Sequence, residues 1–433
     1  MKRDIYSKLV EWKHSNRRKP LILKGARQVG KTHILHQFGK KEYDRIVYFN
    51  FEETPSLNEL FEQTLNPTIL LSKLSLQAGF DIKPKKDLII FDEIQHSNSA
   101  LNSLKYFNEK LNKYHIAAAG SLLGILLSKP RSFPVGKVNF LNMYPMTFIE
   151  FLVAVGKENL KELLESTQTA KPLPVLFHDE LIRLLRIYTF TGGMPEVVCE
   201  YAQSGNFNQI RAIQKEILNA YLLDFTKHAK AINVPKINHV WESIPTHLAK
   251  ENKKFVFSAI RKGAKSREYE SAIQWLSDAG LIYKSYQIST PKYPLIGYAN
   301  QHIYKVFALD VGLLGALSNL PLNKIVEGDR LFTEFKGAFI ENYIAQQLVA
   351  HYNFDLFYWT SKGQAEVDFI LPMENITPLE VKAGINPKSK SLKVYQQKYS
   401  PKITLRSTLL NLKQEQQIIN IPLYAISQTS KLV

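Results

Sequence analysis

Cysteine is nearly missing from this chain: Cys199 stands alone among 433 residues. That excludes an intrachain disulfide and a thiolate metal cluster, and it fits a reducing compartment. With Pro195, Glu196, Val197 and Val198 before it, Cys199 reads as a small core residue. Long apolar runs are missing too, none approaching the ~20 residues that a membrane-spanning helix needs. The opening Met1-Lys2-Arg3-Asp4-Ile5-Tyr6 has no apolar stretch behind it to act as a secretory signal. The expectation is a soluble, cytoplasmic chain with no membrane span. Acid is in short supply, 39 Asp+Glu against 56 Lys+Arg, a formal charge of +17. Such a surplus favours polyanionic partners, nucleic acid or an anionic surface.

What is present suits a folded, multi-domain chain. Hydrophobic residues make up 45% and charged residues 22%, which excludes disordered and collagen-like classes. The length predicts two to four domains, and no internal repeat is visible. Over residues 1–150, apolar runs at Pro20–Lys24, Arg45–Phe51, Asp87–Phe91 and His115–Ala119 alternate with helical stretches. Strands apolar on both faces and interleaved with helices predict a parallel sheet in an α/β domain. Residues 151–235 read as a helical lid. Over 236–300, helices at Ile237–Ala249, Phe255–Ile260 and Ser266–Ala279 followed by a strand at Leu281–Gln287 outline a winged helix-turn-helix, or a helical spacer. Residues 301–433, with a helix at Ala338–Val349 and strands at Leu356–Thr360, Val367–Leu371 and Pro378–Lys382, predict a second α/β domain.

Gly25-Ala26-Arg27-Gln28-Val29-Gly30-Lys31-Thr32 fits G-x-x-x-x-G-K-[ST] at each fixed position, between an apolar strand and a helix. Glycines let the backbone wrap phosphates, and the helix N-terminus attracts anions. Lys31 would reach the β- and γ-phosphates of ATP, and Thr32 would hold Mg²⁺. About sixty residues on, Leu88-Ile89-Ile90-Phe91-Asp92-Glu93 is an apolar strand ending in acid. Asp92 would ligate Mg²⁺ and Glu93 would polarise the attacking water. The strand His115–Ala119 ends in Gly120-Ser121, where Ser121 either senses the γ-phosphate or caps the next helix.

These stretches resemble a prokaryotic family of AAA-type ATPases with a C-terminal domain of unknown function. Further matching motifs are Phe91-Asp92-Glu93-Ile94-Gln95, Gly120-Ser121-Leu122-Leu123, Tyr144-Pro145-Met146-Thr147-Phe148, Gly192-Gly193-Met194-Pro195 and Asp310-Val311-Gly312-Leu313-Leu314. The resemblance implies ATP binding and hydrolysis. It leaves open a homo-oligomer, since a neighbour's arginine often completes such sites. Where the family often has Gly-Arg before Tyr-Pro, this chain has Gly136-Lys137, so Arg131 is the substitute finger or both are solvated loop charges.

Near the C-terminus, Asp368 is followed after eleven residues by Glu380-x-Lys382. This resembles nucleases of restriction-endonuclease type. Two carboxylates would hold Mg²⁺, Lys382 would orient water or steady the phosphorane, and Glu341 would add a third acid. A solvated hairpin is the alternative, and fold alone does not give activity. Gln396 and Gln397 could touch a phosphate or lie on a polar helix face. The basic stretch Lys250–Arg267, including Lys253, Lys254, Arg261, Lys262, Lys265 and Arg267, is the candidate face for duplex DNA. The expected activity is Mg²⁺-dependent ATP hydrolysis coupled to DNA binding or processing. The alternative is a nucleotide-operated switch whose C-terminal domain binds a protein partner.

Overall fold

The computed structural model describes residues 1–121, 123–127, 136–249, 254–257, 260, 263, 265–320, 337–361, 365–383 and 390–433. The chain divides into two compact units, one of residues 2–144 with 278–280, the other of 145–277 and 281–433.

In the first unit, five strands form one sheet: β1 (Leu21–Lys24), β2 (Arg45–Asn50), β3 (Asp87–Asp92), β4 (His115–Ala119) and β5 (Asn139–Asn142). Their order is β2-β3-β4-β1-β5, and every neighbouring pair is parallel. The expected α/β parallel sheet is therefore present. Strands β3 and β4 are buried over their whole length, as their unbroken apolar runs require in a sheet covered on both faces. Phe51, Phe61 and Phe91 meet edge-to-face with centroids 5.5–5.7 Å apart in its core. Because β1, β3 and β4 run the same way, the Gly25 loop, Asp92 and Gly120-Ser121 all leave the sheet at one edge. That carboxyl edge is where open α/β sheets bind ligands.

The second unit opens with the helices Phe148–Ala154, Glu158–Ser166, Val175–Thr191, Pro195–Ser204, Phe207–His228 and Val234–Ala249. Thr147 and Glu150 cap the first of them reciprocally. Two sheets follow. One contains β6 (Ile282–Ile288), β7 (Ala299–Ala308), β8 (Leu356–Thr360) and β9 (Glu366–Val367), in the order β7-β6-β8-β9. The other contains β10 (Phe369–Pro372), β11 (Ile376–Val381), β12 (Thr404–Thr408), β13 (Lys413–Glu415) and β14 (Ile418–Pro422), in the order β10-β11-β12-β14-β13. Helix Ser266–Asp278 precedes β6, which pairs antiparallel with β7 and parallel with β8. The strand expected to form a wing thus shares a sheet with the C-terminal segment, and the expected boundary at residue 300 falls within β7. Part of the helix expected at 255–260 lies outside the described residues. Cys199 is half-buried, 3.4 Å from the Gln203 amide, rather than in the core.

A polar network threads the interior of this unit. Asp310, wholly buried, accepts from the backbone N–H of Gly193 (2.6 Å) and Leu313 (3.0 Å) and from Gln346 Nε2 (3.0 Å). Tyr188 OH donates to the Met146 carbonyl (2.5 Å) and accepts from Gln346 (3.0 Å) and Gln347 (3.2 Å). Gln347 Oε1 in turn accepts from Phe148 N (2.9 Å). The Tyr144, Gly192 and Asp310 motifs thereby meet on helix Ala338–Tyr352. Burial raises the Asp310 carboxyl above its usual range, and the backbone donors oppose that rise.

Candidate active site

The loop after β1 is shaped by two glycines. A Cβ at Gly25 would overlap the Met143 carbonyl, so only glycine lets the loop run this close to its neighbour. Gly30, at φ +95°, turns the chain left-handed into helix Lys31–Glu42. Arg3 holds the loop from outside, donating to the carbonyls of Val29 (3.0 Å) and Tyr144 (2.6 Å). Lys31 is buried and folds back, Nζ donating to the carbonyls of Gly25 (3.0 Å) and Ala26 (2.7 Å). An ammonium held by its own loop is a placed charge that a phosphate can take over.

Thr32 Oγ1 donates to Asp92 Oδ2 at 2.7 Å, joining the helix start to the end of β3. Tyr48 OH donates to the same oxygen at 2.9 Å, and the backbone N–H of Glu93 reaches Asp92 Oδ1 at 3.0 Å. Burial, together with the neighbouring Asp92 carboxylate, holds the Tyr48 phenol well above its ordinary pKa, so it remains a donor. A hydroxyl and a carboxylate converging at this distance are hard oxygen donors that fit Mg²⁺. Glu93 follows at φ +49°, in the left-handed region, and Gln95 Nε2 donates to its carboxylate. Ser121 is buried just past β4. Lys137 pairs with Glu109 at 3.0 Å and is 41% exposed, and Arg131 lies outside the described residues.

A second cluster gathers in the other unit. Asp368, between β9 and β10, accepts from Val381 N at 2.8 Å, and Glu380 on β11 pairs with Lys382 at 2.6 Å. Lys305 on β7 is wholly buried, its Nζ 2.6 Å from Glu366 and 3.7 Å from Glu341. Burial pulls the Lys305 ammonium down, but Glu341, Glu366 and Asp368 outweigh it and the net shift is upward. Lys382 follows the same balance, with Glu380, Asp368 and Glu341 on the raising side. Glu341 and Asp368, both singled out in the sequence, thus act on both lysines. Lys305 was missed, because a lone lysine in a strand carries no motif, and Glu366 was noted only within a matching stretch, not as a site residue.

The acids are of the right kind for a divalent ion, yet the buried ammonium stands among them. Among the described residues, the group of three whose ligand atoms all lie within 4.8 Å of one another is Glu52, Glu93 and His96, not these acids. Gln396 Nε2 bonds Thr404 Oγ1 at 3.1 Å, and Gln397 is exposed. Of the basic stretch, Lys265 and Arg267 are exposed and Lys254 is half-buried, while Lys250, Lys253, Arg261 and Lys262 lie outside the described residues.

Residues 17–152 match the AAA domain family. Over this segment the chain is similar to AAA domains. Residues 182–324 match one domain of unknown function (DUF8612) and residues 336–426 another (DUF4143). No curated protein matches the sequence. Among solved structures, the Walker-type ATPase PabY2304 of Pyrococcus abyssi is 16% identical, with 73% of this chain and 95% of that one covered and a TM-score of 0.46. The RuvB Holliday junction branch migration motor of Thermotoga maritima is 13% identical over 66% and 90% of the two chains, TM-score 0.31. The Aeropyrum pernix ORC1 protein, solved in complex with DNA, is 12% identical over 74% and 92%, TM-score 0.30. At these scores none of the three bears on the function of this chain. No helix among the described residues is long and apolar enough to cross a membrane.

Proposed function

We propose that this chain hydrolyses ATP with Mg²⁺ in its first unit and couples that reaction to DNA binding or processing through residues 145–433. The observation that supports the ATPase reading is the Thr32–Asp92 hydrogen bond of 2.7 Å, which joins the end of the glycine-loop motif to the acid that closes β3. Lys31 binds the β- and γ-phosphates, Thr32 and Asp92 hold Mg²⁺, and Glu93 takes the proton of the attacking water. Ser121, buried just past β4, senses the γ-phosphate. Mg²⁺ supplies charge neutralisation at the phosphate oxygens. The net charge of +17 supports a polyanionic partner.

A second reading draws on Lys305. Its ammonium neutralises part of the acidic cluster from within, which favours a C-terminal domain that binds a protein partner, without cleavage. ATP turnover with Mg²⁺, with and without duplex DNA and with Lys31→Ala as blank, separates the two. Stimulation by DNA, and DNA binding that weakens steeply with salt, support the first. Turnover indifferent to DNA, with no binding at physiological salt, supports the second. Mg²⁺-dependent cleavage abolished by Asp368→Ala at an unchanged ATPase rate assigns Asp368, Glu380, Glu341 and Lys382 to a nuclease site.

A further inference from the structure

The motif Phe91-Asp92-Glu93-Ile94-Gln95 ends on a residue that the nucleotide site has not yet used. Gln95 sits in the short 3₁₀ turn Ile94–His96 directly after Glu93. Its Nε2 donates to Glu93 Oε2, and its Oε1 is buried with no hydrogen-bond partner among the described residues. Exchanging the amide's two ends would set oxygen against the carboxylate, so the donor belongs on the Glu93 side. The orphaned oxygen lies against Gly120, where a Cβ would overlap it. Gly120 follows β4, the strand that separates β1 from β3. The Gln95 amide therefore bridges Glu93 and the end of β4. Glu93 itself holds a left-handed conformation at φ +49°, which a non-glycine residue adopts only when its surroundings impose it.

We infer that Gln95 is the positioning residue of the hydrolytic step, orienting the Glu93 carboxylate toward the water, and that Gly120 is kept side-chain-free to leave room for it. The inference rests on the reading of Glu93 as the general base. A carboxylate with one oxygen tied to Gln95 offers the other in a fixed direction. Without that tie the side chain rotates and the productive geometry is populated less. ATP binding depends on Lys31 and Thr32 and is left alone.

The test is steady-state turnover and ATP affinity of the full chain with Mg²⁺. Gln95→Ala is expected to lower kcat about 10-fold, as removal of a supporting hydrogen-bond partner does, with KM and ATP affinity unchanged. Gly120→Ala should lower kcat in the same way by displacing the Gln95 amide, and the double variant Gln95→Ala/Gly120→Ala should be no slower than Gln95→Ala alone. Two results overturn the inference: Gln95→Ala turning over at the wild-type rate, or Gly120→Ala costing as much on the Gln95→Ala background as on the wild type. Failure of the underlying reading is visible separately. If Glu93→Gln turns over like the wild type, the general-base role falls and Gln95 with it; if Glu93→Gln is slow while Gln95→Ala is fast, only the role of Gln95 falls.

Discussion

Thr32 and Asp92, sixty residues apart in the chain, share a 2.7 Å hydrogen bond across the carboxyl edge of the N-terminal sheet. Parallel strands make that meeting possible, since both residues leave the sheet on the same side. The bond also sets the character of the pair. The hydroxyl is already a donor to the carboxylate, so a divalent ion entering here finds two hard oxygens in place.

Thr32→Val keeps the shape of the side chain and removes its oxygen. The expected result is a loss of Mg²⁺-dependent turnover on the order of 100-fold, with nucleotide binding in the absence of Mg²⁺ retained. Titration of ATP with and without Mg²⁺ reads both. A variant whose ATP affinity fails to lose its Mg²⁺ dependence would detach Thr32 from the ion.

Acid should weaken the first unit through His115. Burial, aided by the positive charges of Arg18 and Lys13, pushes this imidazole down from 6.5 to about 3. Its Nδ1 lies 2.7 Å from Tyr43 OH. The folded pKa is below the unfolded one, so between those values the unfolded chain binds more protons and stability rises with pH. The contribution is full above about 6.5 and is lost as pH falls toward 3. Thermal unfolding at pH 7.5 and 5 should show a lower Tm at pH 5, and His115→Phe should make that difference smaller. An unchanged pH dependence in the variant would clear His115 of the effect.

Asp310→Ala strips acceptors from Gly193 N, Leu313 N and Gln346 Nε2 inside the second unit. Unmet buried donors make this costly, on the order of 3 kcal/mol. Denaturant unfolding should show the loss, while ATP binding in the first unit persists.

Lys305→Met leaves Glu341 and Glu366 without the buried ammonium that pairs them. Destabilisation of about 3 kcal/mol or more is expected, and adding Glu341→Gln should recover part of it. If the double variant were no more stable than Lys305→Met, Glu341 would not be the partner whose charge matters.

The first unit was the more legible of the two because its chemistry is local. Strand β4 lies at His115–Ala119 as its apolar run indicates, and the loop from Gly25 to Thr32 is written in consecutive residues. Tyr48 was not legible. It reaches Asp92 from β2, and the sequence gives no reason to pick one tyrosine among 21. The second unit hides its logic deeper. Helix Ala338–Tyr352 is buried nearly all round, so its Asn342, Gln346 and Gln347, which would mark a solvated face on an amphipathic helix, face inward instead. Asn342 bonds both backbone groups of Ala308. The Asp368, Glu380 and Lys382 pattern was visible from spacing, but Lys305 comes to it from a distant strand whose pairing no local signal records.

The most direct test of the account compares Mg²⁺-dependent ATP turnover of the wild-type chain with that of Glu93→Gln, with ATP binding measured on both. The account predicts that the variant binds ATP as tightly as the wild type and hydrolyses it at least about 100-fold more slowly. Equal turnover by the two would contradict it, and the catalytic carboxylate would have to be sought elsewhere along the edge of the sheet.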